Sequence, residues 1–136
     1  MKPEIWGPHA WIFLHSITLE YPDNPTREDK SNMANFFNSL GNVLPCHKCR
    51  INFDKHLEKY PLTDKVLSCK TNLIKWLIDI HNCVNRINNK KELTYEESLQ
   101  RILDLYNKQD YTILYFGIVL IFITILFTLF KMLSPP

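Results

Sequence analysis

Apolar residues recur every three or four positions through most of residues 1–110, which is the spacing of helices that bury one face. No segment shows the sustained alternation of apolar and polar residues that predicts a half-buried strand. Prolines and capping residues divide the pattern into five predicted helices. They cover about 7–21, 26–44, 46–60, a longer run from Ser68, and a run from Thr94. The sequence therefore predicts an all-α bundle.

Polar residues at the predicted helix starts support these boundaries. Thr26 is a suitable N-cap, with acidic residues in the turn after it, and Thr94 with Glu97 matches the capping-box pattern. Two predicted apolar faces matter below. The first helix presents Trp11, Leu14, His15 and Thr18, and the second presents Met33, Phe36, Phe37, Leu40, Val43 and Leu44.

The C-terminal part of the chain differs from the rest, because residues 111–130 contain no charged side chain. At about 1.5 Å per residue, such a helix spans roughly 30 Å, the thickness of a bilayer's hydrocarbon core. A buried core helix of a small domain would carry a polar face instead. We therefore predict a helical domain at 1–110, a C-terminal transmembrane helix at 111–131 and a short polar tail at 132–136.

The flanking residues predict how this segment is oriented. Pro3, Glu4 and Pro8 do not match a cleavable signal peptide, which needs a basic start and an unbroken apolar run. Basic residues precede the apolar segment at 91, 101 and 108, whereas only one follows it, at 131. We expect a single-pass C-terminal anchor in a membrane, with the N-terminal domain in the cytosol.

Overall charge limits the possible partners. The 136 residues carry 16 basic and 14 acidic side chains, for a formal net charge of +2. This balance excludes a nucleic-acid binder that relies on electrostatics alone, so we expect no nucleic-acid partner. Four cysteines are also too few for a dense disulfide scaffold.

Two of these cysteines form a C-x-x-C motif, Cys46 and Cys49, at a predicted helix start. The positive end of a helix favours the thiolate, and two cysteines three residues apart can close a disulfide, so the motif indicates a redox pair. Half a zinc site is an alternative, although Cys69 and Cys83 do not form a second C-x-x-C. A thioredoxin-like motif is another, but it needs a strand before the first cysteine.

Two further helices carry polar groups beside apolar ones. Trp11 and His15 share one helix face, and His81, Asn82 and Asn85 lie within about one turn. Each can be explained separately as a core or solvated residue. Together they suit a large ligand with rings and a polar tail, because imidazoles and amides satisfy buried donors and acceptors.

Three blocks of sequence, WGPHAWIFLHSITLEYP, LPCHKC and WLIDIHNCVNRINNKK, resemble the Erv/ALR family of FAD-linked sulfhydryl oxidases. The resemblance covers about residues 5–95, with the blocks in family order, and it is strongest to the minimal forms of large cytoplasmic DNA viruses. It implies a four-helix bundle with a short fifth helix, non-covalent FAD and a homodimer. A viral origin would make the membrane a host or virion membrane.

The resemblance also assigns roles to residues. Cys46 and Cys49 match the catalytic pair: Cys46 would exchange with a substrate thiol, and Cys49 would pass electrons to FAD, which dioxygen reoxidises to give hydrogen peroxide. The expected substrate is a thioredoxin-like or other dithiol protein. The positions that match FAD contacts are Gly7, Trp11, His15, Tyr21, His81, Asn82, Val84, Asn85 and Lys90, with an aromatic at Tyr95; no metal ligand is expected.

The chain departs from the family pattern at several positions. Pro8 stands where many members have arginine, and Ile78 stands where a structural disulfide begins, so that bridge should be absent. Cys69 and Cys83 are predicted about 21 Å apart on one helix and should not bond to each other. We expect Cys83 to be a buried apolar residue and Cys69 to be a free thiol or an intermolecular link. The alternative function is a non-enzymatic, tail-anchored adaptor whose C-x-x-C is structural or binds zinc.

Overall fold

The computed structural model describes residues 1–107 and 112–133, with side chains described for 1–107 and 115–126. These residues form helices and no strand. The helices are α1 (Pro3–Leu19), α2 (Arg27–Val43), α3 (His47–Lys59), α4 (Lys70–Ile87), α5 (Tyr95–Asn107) and α6 (Thr112–Leu133), with a 3₁₀ turn at Val66–Ser68 before α4. The prediction of an all-α fold is confirmed for the described part of the chain.

The chain divides into two compact units, Met1–Leu103 and Asp104–Pro136. In the first unit α1 packs against α4 and α2 packs against α3. The 3₁₀ turn contacts both α4 and α2, and α3 also contacts α4, so four helices surround one core.

Aromatic rings stand at the centre of this core. Phe37 of α2 is fully buried and meets Trp76 of α4 edge to face, with ring centroids 4.8 Å apart. The Trp76 indole N–H donates to the backbone oxygen of Tyr60 at 2.8 Å, so its polar atom is satisfied inside the core. The other buried members include Leu14, Tyr21, Phe53, Leu67, Leu73, Leu77 and Ile80.

The predicted caps are largely observed. Thr26 and Asp29 form a reciprocal capping box at the start of α2, and Thr94 forms the same arrangement with Glu97 at α5. The predicted cap at Ser68 is wrong. Cys69 is the N-cap of α4, and Ser68 ends the 3₁₀ turn, where its hydroxyl donates to the backbone oxygen of Lys65.

Two further boundaries differ from the prediction. The first helix begins at Pro3 rather than near Gly7, because proline suits the first helical position, where no N–H is needed. Val43 was predicted on the apolar face of α2 but is 70% exposed, since it is the last residue of the helix and the chain turns away toward Pro45.

As predicted, Cys69 and Cys83 are not bonded to each other and Cys83 is buried, although Cys69 lies just before α4 rather than within it. Cys69 is partly exposed, Cys83 is buried, and both are free. Ile78 is only 1% exposed, so an apolar side chain fills the position where the family places a cysteine.

Helix α6 belongs to the second unit, and its side chains from Tyr115 to Leu126 include many exposed apolar groups. Across the described residues, no helix meets the length and apolarity needed to cross a membrane. The predicted span 111–131 lies only partly within those residues, because Tyr111 and the side chains of 112–114 and 127–131 are outside them. The predicted tail at 132–136 is outside them from residue 134 onward.

Candidate active site

The C-x-x-C pair lies at the first turn of α3. Cys46 is the N-cap, and its sulfur accepts a hydrogen bond from the backbone N–H of Cys49 at 3.3 Å. The two Cα atoms are 5.1 Å apart, and a disulfide bond joins the sulfurs. The backbone N–H of Cys49 and the positive end of the α3 dipole therefore face the Cys46 sulfur, and the same field at the first turn of α3 favours a thiolate on either cysteine after reduction.

Backbone contacts hold the segment that leads into this turn. The Nε of Arg50 donates to the carbonyl of Leu44 at 2.6 Å, and the amino group of Met1 donates to the carbonyl of Pro45 at 3.2 Å. Cys46 and Cys49 are partly exposed. The pair is thus fixed in position and still open to a thiol from another molecule.

A second cluster joins α1 to α4. The rings of Trp11 and His81 are stacked with centroids 3.9 Å apart and an interplanar angle of 5°. The Nε2 of His15 lies 3.0 Å from the Nδ1 of His81, so the two imidazoles are hydrogen-bonded. The sequence placed these residues on two separate helices, and the fold brings them into contact.

Both imidazoles of this cluster are neutral at pH 7. Burial lowers the pKa of His15 from 6.5 to about 4. Burial, followed by the charges of His15 and Lys90, lowers the pKa of His81 to about 3. Because neither ring is charged, one of the two facing nitrogens carries a hydrogen and donates it while the other accepts.

Helix α1 also carries buried polar atoms whose hydrogen bonds are not made within the described residues. These are the Nδ1 of His15 and the indole Nε1 of Trp6. A buried polar atom without a partner is costly, so such atoms are expected where a ligand supplies the missing partner. Trp6 was not among the predicted site residues, although its position beside Gly7 in the quoted block was an available signal.

Three predicted contact residues have their polar side-chain atoms engaged within the protein. The hydroxyl of Tyr21 is buried and donates to the backbone oxygen of Leu67 at 3.0 Å. The amide of Asn82 bonds both backbone groups of Leu93, at 2.8 and 3.0 Å. The hydroxyl of Tyr95 donates to the carboxylate of Asp79 at 3.0 Å.

The other predicted contact residues remain open to a ligand. Asn85 makes a 3.5 Å side-chain contact with Asn82, Val84 is partly buried, and Lys90 is exposed. A Cβ added to Gly7 would meet no atom within 4 Å, so there is open space beside α1 at this point.

Two cavities in the first unit lie apart from the His15–His81 cluster. One of about 280 Å³ is lined by Tyr21 and neighbouring residues of α1 and α2. The other, of about 460 Å³, is lined by the end of α3 and the segment after it, including Tyr60, by α4, including Trp76, and by the start of α5. The cluster is therefore defined by contacts between its own side chains and by its open polar atoms rather than by either cavity.

The zinc-site alternative for the C-x-x-C motif needs further ligands close to Cys46 and Cys49. Across the described residues, no three His, Cys, Asp or Glu side chains come together in an arrangement that could hold a metal ion. A strand before the C-x-x-C, as a thioredoxin-like site requires, is also not seen there, since α2 precedes it.

These features define a helical thiol–disulfide protein, with a redox-type cysteine pair at one helix start and an aromatic–imidazole cluster between two other helices. Residues 8–104 match the model of the Erv1/Alr family. The chain belongs to this family, as the three sequence blocks indicated.

Curated relatives agree with this assignment. The chain is 58% identical over 102 residues to the probable FAD-linked sulfhydryl oxidase of Acanthamoeba polyphaga mimivirus. The aligned region covers 75% of this chain and 71% of the relative. It is 30% identical over 113 residues to the FAD-linked sulfhydryl oxidase of African swine fever virus, covering 78% and 92% respectively.

Solved structures show the same architecture. The crystal structure of the yeast Erv1 core aligns with a TM-score of 0.70 and 26% identity, over 81% of this chain and 88% of that chain. The FAD-binding domain of Erv1 from Saccharomyces cerevisiae aligns with a TM-score of 0.70 and 28% identity, over 76% of this chain and 96% of that chain.

The residues present fit a flavin dinucleotide. The open Nδ1 of His15 and the open indole N–H of Trp6 are buried groups that ring nitrogens or carbonyls of such a ligand would satisfy. Trp11 and His81 offer flat aromatic faces, and Lys90 supplies a positive charge near them for a phosphate.

Proposed function

We propose that this protein is an FAD-linked sulfhydryl oxidase that forms disulfides in a dithiol protein. One observation carries the proposal: a chain of the Erv1/Alr family holds a disulfide-bonded Cys46–Cys49 pair at the start of α3. The open buried polar atoms on α1 add support, because they require a partner that the described residues do not provide.

The chemistry of the pair follows from its position. A substrate thiolate attacks the sulfur of Cys46, forming a mixed disulfide, and the Cys49 thiolate leaves into the positive field at the start of α3. A second substrate thiolate then attacks the mixed disulfide, so the substrate leaves oxidised and Cys46 and Cys49 are reduced. Bound FAD would take up the two electrons released when the pair closes again and pass them to dioxygen, with hydrogen peroxide as product.

The test uses the full-length protein in detergent. We expect a yellow protein with a flavin absorption band that consumes dioxygen when given dithiothreitol. Cys46→Ser and Cys49→Ser should each remove this activity and leave the flavin bound, whereas Cys69→Ser, a free thiol outside the pair, should remain active. A colourless protein with stoichiometric zinc, or full turnover by Cys49→Ser, would contradict the proposal.

We also propose that residues 111–131 anchor the protein in a membrane, with the N-terminal domain on the cytosolic side. The support is the uncharged run of residues 111–130 and the excess of basic residues before it. Protease treatment of sealed vesicles tests the orientation: the N-terminal domain should be digested without detergent, and a protected domain would refute it.

A homodimer is proposed from the surface of α1. Ile5, Ile12 and Phe13 are 70%, 38% and 60% exposed, so one helix presents several apolar side chains to solvent. Light scattering after size-exclusion chromatography should give the mass of two chains, and Phe13→Glu should shift it to one. A monomeric wild type would exclude this arrangement.

A further inference from the structure

The sequence block HNCVN, residues 81–85 of α4, divides its residues between two faces of the helix. His81 meets α1 through Trp11 and His15. Asn82, one residue further along, is turned by about 100° and bonds Leu93 instead. Adjacent residues of one sequence block therefore contact different parts of the protein.

The face of α4 that carries Asn82 contacts residues 92–95, which follow the helix in the sequence, at three successive points. Asp79 accepts from the hydroxyl of Tyr95 at 3.0 Å, and Asn82 bonds both backbone groups of Leu93. Arg86 makes a two-point contact with Glu92, at 2.9 and 2.6 Å. Positions 79, 82 and 86 follow helical spacing, so the three contacts form one stripe.

The loop of residues 88–94, which connects α4 to α5, is attached to α4 at two places. Its first half turns back on the helix, since Asn89 has a φ of 53° and the N–H of Lys90 donates to the carbonyl of Asn85 at 2.8 Å. Its second half is held where Asn82 bonds Leu93. Lys90 lies between these two attachments, and its charge acts on His81.

We propose that Asn82 is a positioning residue: its amide clamps Leu93, and this clamp holds the loop 88–94 so that the Lys90 ammonium stands at the His15–His81 end of the flavin site. This inference rests on the proposed function, because Lys90 is useful there only if an anionic dinucleotide binds. It replaces the sequence-based expectation that the Asn82 amide contacts the cofactor directly. Both polar atoms of that amide are engaged with Leu93.

The first measurement is made on flavin-free, full-length protein by amide hydrogen exchange. Asn82→Ala removes the acceptor of the Leu93 N–H and the donor to the Leu93 carbonyl, so exchange at Leu93 and Lys90 should become roughly tenfold faster. Asn72→Ala is the matched control, because Asn72 also lies on α4 and donates to the Lys65 carbonyl, away from the loop. Unchanged exchange at Leu93 in Asn82→Ala would overturn the proposal.

The second measurement is the Kd for added FAD, read by quenching of its fluorescence. Asn82→Ala should raise the Kd roughly tenfold, and Asn72→Ala should not. If Asn82 acts through Lys90, its substitution in a Lys90→Met background should change the Kd less than about twofold. Full additivity of the two substitutions would make Asn82 a direct ligand and refute the positioning role.

Two further points keep the test decisive. If Asn82→Ala does not fold, Asn82→Asp has nearly the same size and keeps the acceptor, but it replaces the donor to the Leu93 carbonyl with a carboxylate oxygen. Amide exchange at Leu93 is then the readout, because the added negative charge would itself change the Kd for FAD. If the wild type binds no FAD, the proposed function fails. If the wild type binds FAD but the double substitution is additive, the positioning role alone fails.

Discussion

Acid should lower the free energy of unfolding of the flavin-free protein, because His15 and His81 are neutral in the folded state. An unfolded histidine has a pKa near 6.5, whereas burial lowers the pKa of His15 to about 4 and that of His81 to about 3. The unfolded chain therefore takes up protons first as the pH falls. The stability that comes from keeping His15 and His81 neutral is therefore present above about pH 6.5 and is lost as the pH falls below that value. The loss levels off as the pH approaches the lowered pKa values of the folded protein.

The size of the effect follows from these pKa values. From pH 7.5 to pH 5, the free energy of unfolding should fall by about 2 kcal/mol for each histidine, or up to about 4 kcal/mol for the pair. A loss of this size is large beside the roughly 5–15 kcal/mol that holds a typical domain together. Burial also lowers the pKa of His56, so it adds to the loss in the same direction.

Urea unfolding at several pH values, followed by tryptophan fluorescence, measures this loss. His15→Gln and His81→Gln should each reduce the loss between pH 7.5 and 5 by about 2 kcal/mol. His9→Gln, a change of an exposed histidine on the same helix, should leave the loss as large as in the wild type. If both site variants lose as much stability as the wild type, the neutral His15–His81 pair is not the cause.

The effects of four further substitutions, in the core, on the surface, at a helix cap and at a buried hydrogen bond, can be checked by the same unfolding experiment at pH 7.5. Phe37→Ala should cost about 3–5 kcal/mol because the ring is fully buried, whereas Val43→Ala, at a 70% exposed position, should stay within about 0.5 kcal/mol. Thr26→Ala removes the α2 capping box and should cost about 1 kcal/mol. Tyr21→Phe leaves the buried Leu67 carbonyl without its partner and should cost about 1–3 kcal/mol. Equal effects at Phe37 and Val43 would contradict the assignment of the core.

Local signals in the sequence were sufficient to predict the helices. Thr26 and Thr94 each lie three residues before an acidic side chain, and a capping box depends only on that short spacing. Ser68 was a reasonable cap by residue type. It failed because residues 66–68 form a 3₁₀ turn, which packs on α4 and α2 and moves the N-cap of α4 to Cys69.

Contacts between distant segments limited the prediction of the site. Helical spacing placed Trp11 with His15 on α1, but the stacking of Trp11 on His81 depends on how α1 packs against α4. The bonds between the Asn82 amide and the backbone of Leu93 were not predicted either, because Leu93 lies eleven residues away and is brought back to α4 only by the loop. Every residue has backbone N–H and C=O groups, except that proline lacks the N–H, so no sequence pattern marks those of Leu93 as the partners of Asn82.

The two occupied faces of α4 set a limit on how this chain can change in length. Inserting one residue between Trp76 and Asp79 would rotate the helix after it by about 100°, which would separate His81 from Trp11 and Asn82 from Leu93 at the same time. The exposed stretch at residues 63–65 is not under this double constraint. We expect insertions and deletions among related chains to accumulate in that stretch and to be missing from α4.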